Sequence, residues 1–294
     1  MCDEAMITRW AKEGLSRRQF GVLGGMAAVA ACAPTEGEAG DDLAITLPAM
    51  SEETVTFATP DGTMDGFFVA PATNPAPAVI LWPDIAGIRE AKRNIARRLA
   101  GRGYATLLLN PYYRDRAGQI WEDFADFAGN GGFPIAREMR GKLDAASVMR
   151  DAKAAVGWLR ARREVDGKRG IGTQGYCMTG SFTFWTAAAV PAHVRAAASF
   201  HGGGLVKPDD STSPHKVIGD TKAQYLVAIA QNDDAKAPDD KTALRTAFEA
   251  TGHKAKVEVY AADHGWCVPD SPAYNEAEAE KAWADLMELY GRAV

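Results

Sequence analysis

From Thr54 onward, short apolar runs of strand character alternate with longer runs of helical spacing, and this alternation constrains the fold more than any other feature of the chain. Thr54–Phe57 and Gly66–Val69 read as an antiparallel pair across a turn at Pro60-Asp61-Gly62. Ala78–Trp82 is continuously apolar, as a strand buried on both faces must be. A helical pattern over Ile88–Gly101 ends at glycine, and the strand Ala105–Leu109 is closed by Asn110-Pro111. Leu143, Ala146, Met149, Ala152, Val156 and Leu159 share one side of a helix predicted over Leu143–Arg162. The strands Arg169–Thr173, Ala196–Phe200, Tyr225–Ala230 and Val257–Tyr260 come next, with helices predicted over Ser181–Val190, Lys241–Thr251 and Glu276–Arg292. Strands alternating with helices of this length predict an α/β fold in a single domain, a mostly parallel sheet with helices on both faces. Residues 115–135, rich in Asp, Gly and Phe, show no period and are expected to form a cap or lid loop.

The N-terminus reads as an address. Ser16-Arg17-Arg18-Gln19-Phe20 precedes an uncharged stretch from Gly21 to Ala33, too short to span a membrane but suited to a signal-peptide apolar region. Paired arginines before such a segment resemble a twin-arginine export signal. Val29-Ala30-Ala31-Cys32 resembles a lipobox, in which Cys32 becomes a lipidated N-terminus; the alternative is cleavage near Ala31 or Ala33. Residues 1–32 are thus expected to be an export signal, 33–50 a flexible tether and 51–294 the folded domain, placed in the periplasm and anchored there if Cys32 is lipidated.

The net charge of −5 argues against a nucleic-acid partner, which calls for a basic surface. The four cysteines are Cys2, Cys32, Cys177 and Cys267. They show neither a disulfide framework nor zinc-ligand spacing, so no metal site is expected.

Gly175-Tyr176-Cys177-Met178-Thr179-Gly180 carries the most specific chemical signal, because it comes after a predicted strand and opens a predicted helix. A nucleophile elbow needs that context: the sharp turn exposes the nucleophile, and the helix N-terminus lowers a thiol's pKa. Read as packing alone, Cys177 is a small buried hydrophobe. His264, in the loop after the last predicted strand, and Asp233, just after the strand before it, complete the order nucleophile, acid, histidine. Asp234 is the competing acid; one of the two aspartates is expected to cap the next helix. His201 ends a strand on the same edge and is expected to line the pocket or to cap the strand end. Trp266 is expected as a pocket wall or as ordinary packing.

Over roughly residues 54–292 the chain resembles the dienelactone hydrolase family, in which cysteine replaces the serine of most α/β-hydrolases. The resemblance rests on Gly-Tyr-Cys-Met at 175–178, on Trp82-Pro83-Asp84-Ile85-Ala86-Gly87 and on Asn110-Pro111-Tyr112-Tyr113-Arg114. It implies that the N–H groups of Met178 and Ile85 form the oxyanion hole and that Asp84 interacts with the catalytic thiol. It also implies that Arg114, beside Tyr113, binds a substrate carboxylate as a bidentate fork. Thr179 departs from the pattern where a small glycine is usual, which predicts a looser elbow or a displaced helix.

The expected activity is hydrolysis of a small-molecule carboxylic ester or lactone through Cys177, His264 and Asp233, by way of a thioester and without cofactor. A general carboxylesterase, a non-catalytic envelope binding module, and a thiol redox protein with Cys267 as resolving partner are the competing readings.

Overall fold

The computed structural model describes residues 50–294. The export signal, the Cys32 lipobox and the tether up to residue 49 lie outside the described residues. Eight strands form one sheet in the order β1-β2-β4-β3-β5-β6-β7-β8. β1 (Met50–Thr59) and β2 (Gly62–Pro71) make an antiparallel hairpin whose second strand pairs antiparallel with β4 (Ala105–Leu109). From β4 across, β3 (Ala78–Trp82), β5 (Ile171–Tyr176), β6 (Val194–Phe200), β7 (Gln224–Ala230) and β8 (Ala255–Tyr260) run parallel. The predicted α/β architecture is the one observed.

The parallel strands are largely apolar because both faces are covered. α1 (Glu90–Ala100) and α8 (Glu276–Ala293) pack on one face, burying Ile95, Leu99, Leu286 and Tyr290. α4 (Ala145–Arg160), α5 (Gly180–Ala189) and α7 (Asp240–Thr251) cover the other, burying Val156, Leu159, Phe184 and Phe248. α4 starts with a capping box in which Asp144 accepts from the Ser147 N–H at 2.7 Å.

The stretch read as a structureless cap contains two short helices, α2 (Phe124–Gly129) and α3 (Gly132–Arg140). Asp123 caps the first by accepting from the Asp126 N–H at 2.7 Å. Its apolar residues, Phe124 and Phe127, pack on Trp121 and Phe133 as a local aromatic cluster. A further short helix, α6 (Gln231–Lys236), comes after β7. The chain passes from β3 to β4 on one side and to β5 on the other, so the strand order reverses around β3. In open α/β sheets the crevice outside the C-terminal strand ends at such a reversal is where ligands bind.

Candidate active site

Loops at the C-terminal ends of four parallel strands and the start of α2 meet in one small cleft. Its walls include Asp84 and Ile85 after β3, Cys177 after β5, His201 after β6, and His264 and Gly265 after β8. Phe124 of α2 and Val268, Ser271 and Pro272 of the loop beyond His264 close it. Sequence spacing does not single out these last four, which lie in segments without a period.

Cys177 opens the one-turn helix Cys177–Thr179 that leads directly into α5. Its φ is +58°, a left-handed conformation that is costly for a residue with a Cβ and is characteristic of a strained strand-to-helix elbow. Room for this turn comes from glycine at two flanking positions. A Cβ at Gly175 would lie 2.2 Å from the Thr179 carbonyl oxygen, and one at Gly180 would lie 2.5 Å from the Gly202 Cα.

Thr179 does not loosen the elbow. Its buried hydroxyl accepts from the Tyr176 N–H at 2.9 Å and donates to the Pro83 carbonyl at 2.8 Å. It therefore ties the nucleophile turn to the loop carrying Ile85. The expectation of a looser turn fails because the space a small residue must leave is needed at 175 and 180, not at 179.

His264 Nδ1 donates to Asp233 Oδ2 at 2.6 Å, and the ring is also hydrogen-bonded to the Cys177 sulfur. Asn232 Oδ1 accepts the His264 backbone N–H at 2.9 Å, fixing the loop that carries the ring. Burial alone would lower the imidazole pKa. The charge and hydrogen bond of Cys177, with the Asp233 carboxylate, outweigh burial and raise it to about 10. Asp234 turns away and pairs with Lys241 Nζ at 2.7 Å. Geometry thus puts Asp233, not Asp234, beside the histidine.

Other predicted residues fall differently. Asp84 is in the cleft wall, but Arg89 grips its two oxygens at 2.8 and 2.9 Å and Lys92 Nζ lies 2.9 Å from Oδ2. Burial opposes ionisation of Asp84, yet these two cations hold its pKa far below the usual carboxylate range. Arg89 also reaches Asp270 at 2.6 and 2.9 Å, and Asp270 accepts the Phe124 N–H at 3.0 Å. This buried ion cluster joins the loop after β3, the His264 loop and the start of α2. Its signal in the sequence is the close spacing of Asp84, Arg89 and Lys92 in a stretch otherwise destined for the core.

The structure does not bring Arg114 or Tyr113 to the cleft. Arg114 clasps Asp151 at 2.9 Å through both terminal nitrogens and Asp61 at 2.6 Å, while the Tyr113 hydroxyl donates to Asp151 at 2.7 Å. The carboxylate-binding role implied for Arg114 is corrected on this ground: its fork is filled by two aspartates of its own chain. Trp266 is fully buried behind the site, stacked on Tyr260 with ring centroids 5.2 Å apart, and acts as packing beneath His201. Met178 comes directly after the nucleophile, its sulfur 3.3 Å from the Tyr112 hydroxyl, which also donates to the Ile85 carbonyl at 2.8 Å.

Cys267 lines a separate cavity with Tyr176, Phe200 and Trp283, and burial pushes its thiol up to about 12, which keeps it neutral near pH 7. Neither Cys177 nor Cys267 forms a disulfide.

A sequence model of the dienelactone hydrolase family matches residues 64–294. The chain belongs to the dienelactone hydrolase family. Ester or lactone hydrolysis is that family's chemistry, and the chain is an enzyme of this class. Among its relatives is a candidate carboxymethylenebutenolidase of Escherichia coli (strain K12), 27% identical over 219 residues that cover 74% of this chain and 77% of that one. A candidate 2-oxo-3-(5-oxofuran-2-ylidene)propanoate lactonase of Bradyrhizobium is 28% identical over 221 residues, covering 73% of this chain and 83% of the relative. The crystal structure of a candidate dienelactone hydrolase from Klebsiella pneumoniae superposes with a TM-score of 0.70 at 25% identity, covering 83% of this chain and 99% of that one.

Proposed function

We propose that this dienelactone hydrolase family member cleaves a carboxylic ester or lactone with Cys177 as nucleophile. The observation that carries the reading is the hydrogen-bonded series Cys177–His264–Asp233 inside a cleft at the strand ends. The Cys177 thiolate attacks the ester carbonyl and forms a thioester, and the leaving alkoxide or enolate takes its proton from His264. The N–H groups of Met178 and Ile85 hold the oxyanion, each donor contributing about 3–4 kcal/mol by analogy with such sites. His264 then activates water for deacylation, while Asp233 keeps its Nδ1 protonated. The related lactonase supports the substrate class, and the hydrogen bonds of Thr179 keep the elbow in shape for catalysis.

The test is hydrolysis of p-nitrophenyl acetate and a small unsaturated lactone by the full chain and by Cys177→Ala. Turnover lost in the variant, with a thioester adduct on Cys177 seen by mass spectrometry in the parent, is the expected result. Equal turnover by the variant would end the proposal.

We also propose that residues 1–32 direct export and that Cys32 carries the lipid anchor, a reading that rests on the order of arginine pair, apolar stretch and small-residue cysteine. A Cys32→Ala change should release the protein from membranes. Release of a cleaved, unlipidated protein by the parent itself would instead support cleavage near Ala31.

A further inference from the structure

His201 combines three features that packing alone does not explain. Its φ is +40°, a conformation that carries strain in a residue with a Cβ. Its side chain is buried, with the residue only 2% exposed. Neither ring nitrogen has a hydrogen-bond partner in another described residue's side chain or backbone. A phenylalanine would fill the same space without burying two unmet polar atoms. Yet the ring lines the cleft beside Cys177, edge-on to His264 with centroids 4.5 Å apart. The ring's place in the cleft wall makes an incoming group in the cleft the candidate partner for these nitrogens.

The cleft wall also restricts the charge of its occupant. Asp84, its ionised carboxylate, is fully engaged by Arg89 and Lys92. His201 is kept neutral, because burial first, and then the positive charges of His264 and Lys92, disfavour its protonation. A neutral imidazole offers one N–H donor and one nitrogen acceptor. Arg140 of α3 acts on Cys177 through its charge but is not in the cleft wall. Its guanidinium donates to the Leu143 carbonyl at 2.6 Å and lies over the Phe182 ring at 5.6 Å from the centroid.

We propose that His201 is a specificity-determining residue that hydrogen-bonds an uncharged polar substituent near the scissile ester, so that the enzyme prefers neutral, polar-substituted lactones or esters over carboxylated ones. The inference rests on the hydrolase reading above. Because the His201 and His264 rings touch, the substituent sits within one or two bonds of the ester carbonyl or its leaving oxygen. An unpaired carboxylate in that position would be desolvated, and the one cation of the described wall, the His264 imidazolium, is already shared between Cys177 and Asp233.

Three five-membered unsaturated lactones test this: one unsubstituted, one bearing an acetate side chain, and one bearing the matching primary carboxamide. With the full chain, kcat/KM for the carboxamide should exceed that for the acid by at least about tenfold, and His201→Phe should cut the carboxamide-to-unsubstituted ratio by about tenfold, mainly through KM. His201→Gln, which keeps a donor and an acceptor, should restore most of that ratio. Calorimetry on Cys177→Ala reads binding without turnover and should show the same order, carboxamide tighter than acid. Preference for the acid in either measurement overturns the proposal and directs attention to Arg140. An unchanged ratio in His201→Phe also overturns it. If Cys177-dependent turnover is absent while the carboxamide still binds more tightly, the hydrolase reading falls and the assignment of His201 stands.

Discussion

Replacing Thr179 by valine removes one hydroxyl from the elbow while keeping its shape, and the structure fixes what that hydroxyl does. It is the acceptor for the Tyr176 N–H at 2.9 Å and the donor to the Pro83 carbonyl at 2.8 Å, at a residue with no exposed surface. In Thr179→Val the Tyr176 N–H is buried without a partner, which costs about 1–3 kcal/mol. The Pro83 carbonyl loses a net bond of about 1 kcal/mol. A total of about 2–4 kcal/mol should lower Tm by roughly 4–16 °C in a domain of this size.

The same hydroxyl bridges the two loops that carry the Met178 and Ile85 N–H groups. Its loss should therefore appear in transition-state binding more than in substrate binding. We expect kcat to fall by about tenfold with KM within about twofold, the pattern of an interaction made only in the transition state. Thermal unfolding and steady-state hydrolysis of p-nitrophenyl acetate read the two effects. Thr179→Ser separates hydroxyl from methyl: it should keep most of kcat while losing about 1 kcal/mol from one buried methyl group. A valine variant with unchanged Tm would refute the bonding argument. One that raised KM alone would refute the link to the proposed oxyanion loop.

Asp233→Asn should lower kcat/KM by about 10³–10⁴-fold, because Nδ1 of His264 loses the acceptor that fixes its tautomer, whereas Asp234→Asn should change it by less than about threefold. Activity should persist through alkaline pH and decline as the His264 imidazolium, raised to about 10, gives up its proton. Asp233 is one of the groups raising that value, so its removal must move the alkaline limb of kcat/KM to lower pH; an unmoved or higher limb would contradict the assignment. Arg89→Met leaves the buried Asp84 and the half-buried Asp270 without their shared cation and should cost about 3–5 kcal/mol in urea unfolding. Arg114→Ala should weaken folding by leaving Asp151 as an unpaired buried carboxylate, yet leave KM for a carboxylated lactone unchanged.

The sheet was legible because its central strands β3 and β4, and most of β7, are apolar runs with punctuated ends, and those ends lie where the chemistry must be. Ala78–Trp82 and Ala105–Leu109 matched residue for residue, since both are buried over their whole length. The order Cys177, Asp233, His264 was readable for the same reason: each comes after a strand that sequence alone could place. α2 was not readable, because six residues cannot establish a period and the glycines at 129, 131 and 132 blur the boundary with α3. Its one usable signal was Asp123 three residues before Asp126.

Arg114 and Asp84 mark a different boundary. A residue's place after a strand fixes the position of its backbone, but the side chain goes where its charge is best met. For Arg114 that partner is Asp151 on α4 and Asp61 at the β1–β2 turn, 37 and 53 positions away in sequence. For Asp84 it is Arg89 and Lys92 on the same loop and helix. Buried charges are held only with partners, so Asp151 and Asp61 claim the arginine that the motif would have reserved for substrate. Among the described residues, the polar side chains left in the cleft wall once Asp84 is claimed are the proposed nucleophile Cys177, the histidine paired with Asp233, the neutral ring of His201 and Ser271, and that inventory, more than the family motif, is what the substrate proposal rests on.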